Sequence, residues 1–276
     1  LFKTTLSARD ARVGLLWWLA FPTSFFLVSF YNESLFLSLA LGSWLLAKHQ
    51  RWGWAAGLAA VAAATRVVGI WLWPLLLLEF FEQTYPNMTQ MGLAKLTSWL
   101  TKWKWQLIAL SLSSLGLLAY MLYLKVVFHD PLYFLHLQSE FGAGRQESII
   151  LWPQVVWRSS KILLVARPFD WKYLAYVEEF IAGTFGILLV VWGFWQRKHT
   201  KLTLPLAFYS LGCLLTPTLT GTFSSMPRYV LAAWPLWLTL IWLSQKNRAL
   251  MWLALAISLG LLIINTSLFV QGYWIA

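Results

Sequence analysis

ALMWLALAISLGLLIINTSLFV, residues 249–270, carries neither a charged side chain nor a proline. A helix rising about 1.5 Å per residue crosses a hydrocarbon layer of about 30 Å in a run of this length. The apolar positions are consecutive, without the alternation of a barrel strand, and backbone in hydrocarbon must satisfy its own hydrogen bonds. A helix is therefore expected here. Comparable runs lie at 14–30, 34–47, 53–66, 69–81, 106–127, 176–194, 202–218 and 229–244. The expectation is an all-α, polytopic integral membrane protein with roughly eight to ten transmembrane helices, some of them kinked or interrupted by Pro22 and Pro74.

Composition agrees: 59% of residues are hydrophobic and 11% are charged. A formal charge of +11 would suit nucleic acid in a soluble domain. Here the cations cluster in short segments between apolar runs, where they signal topology instead. Membrane lipids are the expected partners, and nucleic acid is not. The single cysteine, Cys213, excludes an intrachain disulfide and a cysteine metal cage.

Assigning alternate loops to opposite sides puts most of the net charge on one face. That face holds Lys3, Arg9, Arg12, Lys48, Arg51, Lys95, Lys102, Lys104, Arg197, Lys198, Lys201, Lys246 and Arg248. It should be cytoplasmic. The other face then holds Glu33, Arg66, the segment Phe128–Tyr176 and Ser224-Ser225-Met226-Pro227-Arg228-Tyr229.

Glu33 lies in Tyr31-Asn32-Glu33-Ser34-Leu35-Phe36, between two apolar runs. A carboxylate at membrane depth is costly unless it lines a wet cavity or finds a partner, so it is a functional candidate. Three uses are open: orienting an acceptor, pairing with Arg66 or Arg228, or acting as an acid or base. An ordinary cap is the competing reading, because Asn32 is a good N-cap and an acid in the first turn suits the helix dipole. For Arg228 the plain alternative is headgroup snorkelling, and for Arg66 an ion pair inside the bundle.

The outer segment Phe128–Tyr176 is long enough to be functional. Its stretch 152–164 mixes aromatic, apolar and basic residues as a helix lying flat in the membrane interface does. His129, Asp130, His136, Gln138, Glu140 and Arg145 form a polar group suited to sugar hydroxyls. Two histidines seven residues apart sit two helical turns from one another, so no metal is expected. The segment Glu82–Trp105 reads as a headgroup anchor, with Lys95, Lys102 and Lys104 near Trp99, Trp103 and Trp105. The sequons at Asn32 and at Asn87-Met88-Thr89 are discounted, the first for its closeness to the membrane and the second for its cytoplasmic side.

Taken in order, these motifs resemble the GPI mannosyltransferase II (PIG-V-like) family of membrane glycosyltransferases with the GT-C architecture. Phe21-Pro22-Thr23 through Tyr31-Asn32-Glu33-Ser34-Leu35-Phe36 is similar to that family's Phe-Pro and Tyr-x-Glu-Ser-Leu-Phe box. Arg51-Trp52, Ala56-Gly57 and Thr65-Arg66-Val67-Val68-Gly69 resemble its middle elements, and Ser225-Met226-Pro227-Arg228-Tyr229 with Trp234-Pro235 its late Pro-Arg-Tyr element. Gln138 also resembles a family position.

The resemblance implies a single GT-C-like transmembrane domain over 1–276 that transfers a hexose, typically mannose, from a polyprenyl-phosphate carrier. The acceptor is a glycan or glycolipid on the non-cytoplasmic side. It implies no cofactor beyond that lipid-phosphate-linked donor, and a bacterial plasma membrane or endoplasmic reticulum location. The family's acidic first outer loop, which supplies the general base, has no match in this chain. The chain is therefore expected to be an N-terminally truncated fragment, with Glu33 in a supporting catalytic role. Tyr31, Asn32, Arg66, His136, Gln138, Arg228 and Tyr229 are the implied substrate-binding residues, with Arg66 and Arg228 set against the donor phosphate. Two rival readings are a polytopic transporter or lipid flippase, which would favour midplane sites and internal repeats, and a non-catalytic assembly subunit.

Overall fold

The computed structural model describes residues 6–85, 93–142, 144–166 and 170–275. Lys3 and the Asn87-Met88-Thr89 sequon lie outside the described residues. Every regular element among the described residues is a helix. The principal ones are α1 (Ala8–Leu19), α2 (Glu33–Lys48), α3 (Trp52–Thr65), α4 (Leu72–Thr84), α5 (Leu93–Lys102), α6 (Lys104–Ser111) and α7 (Leu115–Phe128). After the outer segment come α8 (Trp152–Val165), α9 (Trp171–Trp195), α10 (Leu204–Thr218), α11 (Met226–Ala232), α12 (Leu236–Lys246) and α13 (Arg248–Val270).

Four stretches among the described residues are long and apolar enough to cross a membrane: Val67–Thr84, Lys104–Phe128, Trp171–Trp195 and Arg248–Val270. Trp52–Thr65 and Leu204–Thr218 are shorter apolar helices. Two expected runs are broken instead of continuous. The run at 14–30 ends its helix at Leu19 and continues as a 3-10 turn over Ser24–Leu27, because Pro22 cannot extend the hydrogen-bond ladder. The run at 229–244 divides into α11 and α12 at Trp234-Pro235 for the same reason.

The chain packs as two compact units, Leu35–Pro131 and the combination of Leu1–Ser34 with Leu132–Ala276. In the unit Leu35–Pro131, α3 is the hub because its inner face is nearly all alanine. Ala55, Ala56, Ala59, Ala62 and Ala63 are buried. Small side chains let backbones approach, as at membrane helix contacts generally. A Cβ placed on Gly116 of α7 would stand 1.7 Å from the Ala60 carbonyl oxygen, and one on Gly69 would stand 2.6 Å from Ala63 Cα. Ser43 Oγ of α2 donates to the Ala55 carbonyl at 2.8 Å. At one end, Lys48 reaches the buried Glu79 at 2.6 Å, and Gln83 Nε2 donates to the same carboxylate oxygen at 2.8 Å. Beside them Phe80 meets the rings of Trp52, Trp99 and Trp103. Trp99 Nε1 donates to Thr84 Oγ1 at 3.0 Å, which joins the tryptophan-rich segment to α4.

The other unit is built on α9, which packs against α8, α10, α11 and α12. Its glycines make the contacts possible: a Cβ on Gly183 would fall 2.1 Å from the Phe223 ring, and one on Gly193 2.0 Å from Thr239 Oγ1. Polar bonds tie α1 and α13 into the same unit. Trp17 Nε1 donates to Ser244 Oγ at 2.8 Å, and Ser258 Oγ donates to the Ala20 carbonyl at 2.8 Å. Each closes off a group that would otherwise be buried unsatisfied.

Candidate functional site

Arg228 is presented by a turn that its own sequence makes awkward. Ser225 takes a left-handed conformation, φ +64°, which is costly for a residue with a side chain. Glu179 of α9 holds it there by accepting the Ser225 N–H on Oε1 at 2.7 Å. Pro227 then suits the first helical turn, where it loses no hydrogen bond. The turn aims the guanidinium of Arg228 at Glu33, the first residue of α2.

The two side chains form a buried ion pair. Arg228 Nε donates to Glu33 Oε1 at 2.8 Å, and Nη2 donates to the same oxygen. The side chains are 15% and 2% exposed, respectively. The rings of Phe26 and Tyr31 lie 4.4 Å and 4.8 Å from Arg228 Cζ, close enough for cation–π attraction. Those rings meet edge to face at 4.9 Å, and both lie against Phe269 of α13. Glu33 thus occupies a first-turn position and also serves as the counter-ion of Arg228. Tyr31 is exposed and forms the open side of this cage.

The remaining residues singled out by sequence are distributed. Arg66 belongs to the unit Leu35–Pro131, where it caps α3 and its guanidinium stands 5.8 Å from the Phe36 ring. His129 and Asp130 belong to that unit as well, whereas His136, Gln138, Glu140 and Arg145 belong to the other. His136 ends a one-turn helix, Tyr133–His136, and is exposed. Gln138 Nε2 donates to the Phe134 carbonyl at 2.7 Å and its oxygen accepts from Arg145 at 3.4 Å. Asn32 immediately precedes α2, and Tyr229 follows Arg228 half-buried on α11. No group of three or more His, Cys, Asp or Glu side chains suited to a metal gathers among the described residues.

Sequence reasoning missed Glu178 and Glu179, which sit within α9. Glu178 accepts from Asn265 Nδ2 at 2.7 Å, and the same nitrogen lies 3.3 Å from the Pro22 carbonyl oxygen. Its Oε1 is buried and has no partner among the described residues. Glu178 also borders a groove of about 530 Å³, walled by Ile181, Phe185, Leu189 and Trp192 of α9 together with Pro22, Val230, Trp237 and Leu261. From Glu178 to Trp192 the α9 wall spans about 21 Å at the helical rise, so the groove is long, and its lining is almost wholly apolar. The sequence did hold a signal, since Glu178-Glu179 are adjacent acids inside a 25-residue apolar helix.

Fold and site describe an all-helical protein with apolar helices compatible with a membrane, and a buried arginine–carboxylate pair joining two distant segments. A scan against family models finds no match to the chain, and comparisons with curated proteins and with solved structures likewise find none.

Proposed function

We propose that the protein is a polytopic membrane glycosyltransferase of GT-C-like architecture, with roughly eight to ten membrane segments. It moves a hexose, typically mannose, from a polyprenyl-phosphate donor to a glycan or glycolipid acceptor on the non-cytoplasmic side. The observation that supports this reading is the Glu33–Arg228 pair. Two of the segments whose motifs carry the family resemblance, 195 residues apart in sequence, meet in one buried, aromatic-walled ion pair. In this reading Glu33 orients Arg228 instead of abstracting a proton. The guanidinium faces the donor phosphate side over Tyr31, where charge accumulates as the glycosyl bond breaks. Arg66, His136, Gln138 and Tyr229 remain proposed substrate contacts.

The test is transfer of labelled mannose from polyprenyl phosphate to lipid acceptors by the full-length protein in proteoliposomes. Transfer that falls at least tenfold in Arg228→Lys, with the protein still folded, supports the reading, because lysine keeps the charge and loses the fork. No transfer from any polyprenyl-phosphate sugar by the wild-type protein refutes it.

One observation favours the transporter or flippase reading: two carboxylates lie within a helix of spanning length, one of them bordering a long apolar groove. Ionisable groups inside spanning helices mark substrate or proton paths. Lipid or solute flux without sugar transfer in the same proteoliposomes would establish it.

A further inference from the structure

Two arginines of the outer segment converge on one turn, and among the described residues neither sits in a salt bridge. Arg145 Nη2 donates to Ser224 Oγ at 3.2 Å and Nη1 to Gln138 Oε1 at 3.4 Å, both neutral acceptors. Arg158, on α8, approaches the same turn from the other side. A Cβ on Gly221 would lie 3.6 Å from its Nη1, and one on Gly144, next to Arg145 in the chain, 3.3 Å from its Nη2. The positions are fixed by backbone. Gln146 N–H donates to the Thr220 carbonyl at 2.8 Å and Ile150 N–H to the Leu219 carbonyl at 3.0 Å. Gly221, at φ +86°, admits the Ile150 side chain where a Cβ would stand 2.7 Å from it.

Among the described residues neither arginine forms an ion pair. Glu179 feels the charge of Arg145 without a direct salt bridge and accepts from the Ser225 N–H, and Glu147 accepts from Ser139 Oγ at 2.7 Å. Both guanidinium groups are half-buried, so they keep donors available at reduced hydration. Such a pair suits the oxygens of a phosphate, which an arginine fork matches in geometry and charge.

The surroundings identify what carries the phosphate. Ile149, Leu151, Trp157, Leu164 and Val165, on the stretch of chain that carries the two arginines, are all exposed, and Lys161 lies over the Trp157 ring at 4.7 Å. Apolar and aromatic side chains mixed with cations are the composition of a membrane-interface helix. We propose that Arg145 and Arg158 together bind the phosphate of a membrane lipid, with the turn at Gly221–Ser224 as the floor of the site. The site needs no sugar transfer, so it stands or falls separately from the glycosyltransferase reading.

The test is native mass spectrometry of the full chain in nonionic detergent, titrated with polyprenyl monophosphate, the matching polyprenol, phosphatidylglycerol, phosphatidylcholine and inorganic phosphate. At least one anionic lipid should bind about tenfold more tightly than its uncharged or zwitterionic counterpart, and Arg158→Gln should remove about that factor. Arg158 makes no hydrogen bond among the described residues, so this variant breaks none of those that hold the turn. Arg145→Gln should match it, and Lys161→Gln, on the same helix, should leave binding unchanged. Preference for polyprenyl phosphate assigns an isoprenoid carrier, and preference for phosphatidylglycerol assigns bulk phospholipid; either supports the site. Equal binding of phosphorylated and unphosphorylated lipids overturns it, as does inorganic phosphate binding as tightly as the lipids. A loss in Lys161→Gln equal to that in Arg158→Gln would also overturn it, since surface charge alone would then explain the effect.

Discussion

Replacing Arg228 with glutamine takes its guanidinium away from the Glu33 carboxylate, which is 2% exposed. Breaking a buried pair from one side costs about 3–5 kcal/mol, and losing the Phe26 and Tyr31 ring contacts adds about 0.5–2 kcal/mol. The mirror change is milder. Glu33→Gln removes the charge but leaves an amide oxygen to accept from the guanidinium, which is itself 15% exposed, so the cost should be about 1–3 kcal/mol. Replacing both with apolar residues, Arg228→Met with Glu33→Leu, removes the buried charges together and should recover most of the loss. The assay is equilibrium unfolding of the purified protein in mild detergent, followed by tryptophan fluorescence for wild type, each single variant and the double. The expected order of damage is Arg228→Gln, then Glu33→Gln, then the apolar pair. A double-mutant coupling below about 0.5 kcal/mol, or an apolar pair as unstable as Arg228→Gln, would refute the reasoning.

Glycine positions give opposite expectations on neighbouring helices. Gly116→Ala puts a methyl 1.7 Å from the Ala60 carbonyl and should destabilise by about 1–3 kcal/mol or more, read as a fall in Tm. Gly57→Ala, with nothing within 4 Å, should stabilise by about 0.5–1 kcal/mol through helix propensity. Lys48→Met strands the buried Glu79 and should lower stability by about 2–4 kcal/mol, whereas adding Glu79→Leu should restore most of it in the same unfolding assay. Asn265→Leu removes the only described donor to Glu178 and should cost about 1–3 kcal/mol, with faster hydrogen exchange at the α1–α13 contact as a second readout.

Much of the helical layout was readable from apolar run length alone, because a run such as 249–270 offers a helix and little else. Its breaks needed Pro22 and Pro235 to be weighed against continuity, and hydropathy by itself runs through both. The site was partly legible. Glu33 and Arg228 each stood out as a charge beside apolar sequence, but spacing does not bring Arg228 to Glu33. That placement depends on the Ser225 turn, whose conformation is held by Glu179, 46 residues away. Glu178 escaped notice because an apolar helix of 25 residues absorbs two acids without losing its average character. Their partners, Asn265 and Ser225, become visible only in three dimensions. The pairing of Arg145 with Arg158 was hidden for a related reason: two glycine backbones, not a motif, bring them to one turn.

The glycines of α9 impose a mechanical rule on their unit. Gly183 receives the Phe223 ring, Gly186 faces Leu214 and Val230, and Gly193 receives Thr239. These contacts act as teeth along one side of the helix: a side chain at Gly183 or Gly193 would collide, whereas a Cβ at Gly186 would meet Leu214 and Val230 at 3.6 Å, an ordinary contact. Turning α9 about its axis by one residue, or sliding it by one, would drive Phe223 and Thr239 into Cβ atoms. The helix therefore has one azimuth and one depth, which keeps Glu179 under Ser225 and Glu178 beside Asn265. Any working motion of this unit must carry α9, the Phe223 turn and Thr239 of α12 as one body, not as piston movement of a single helix.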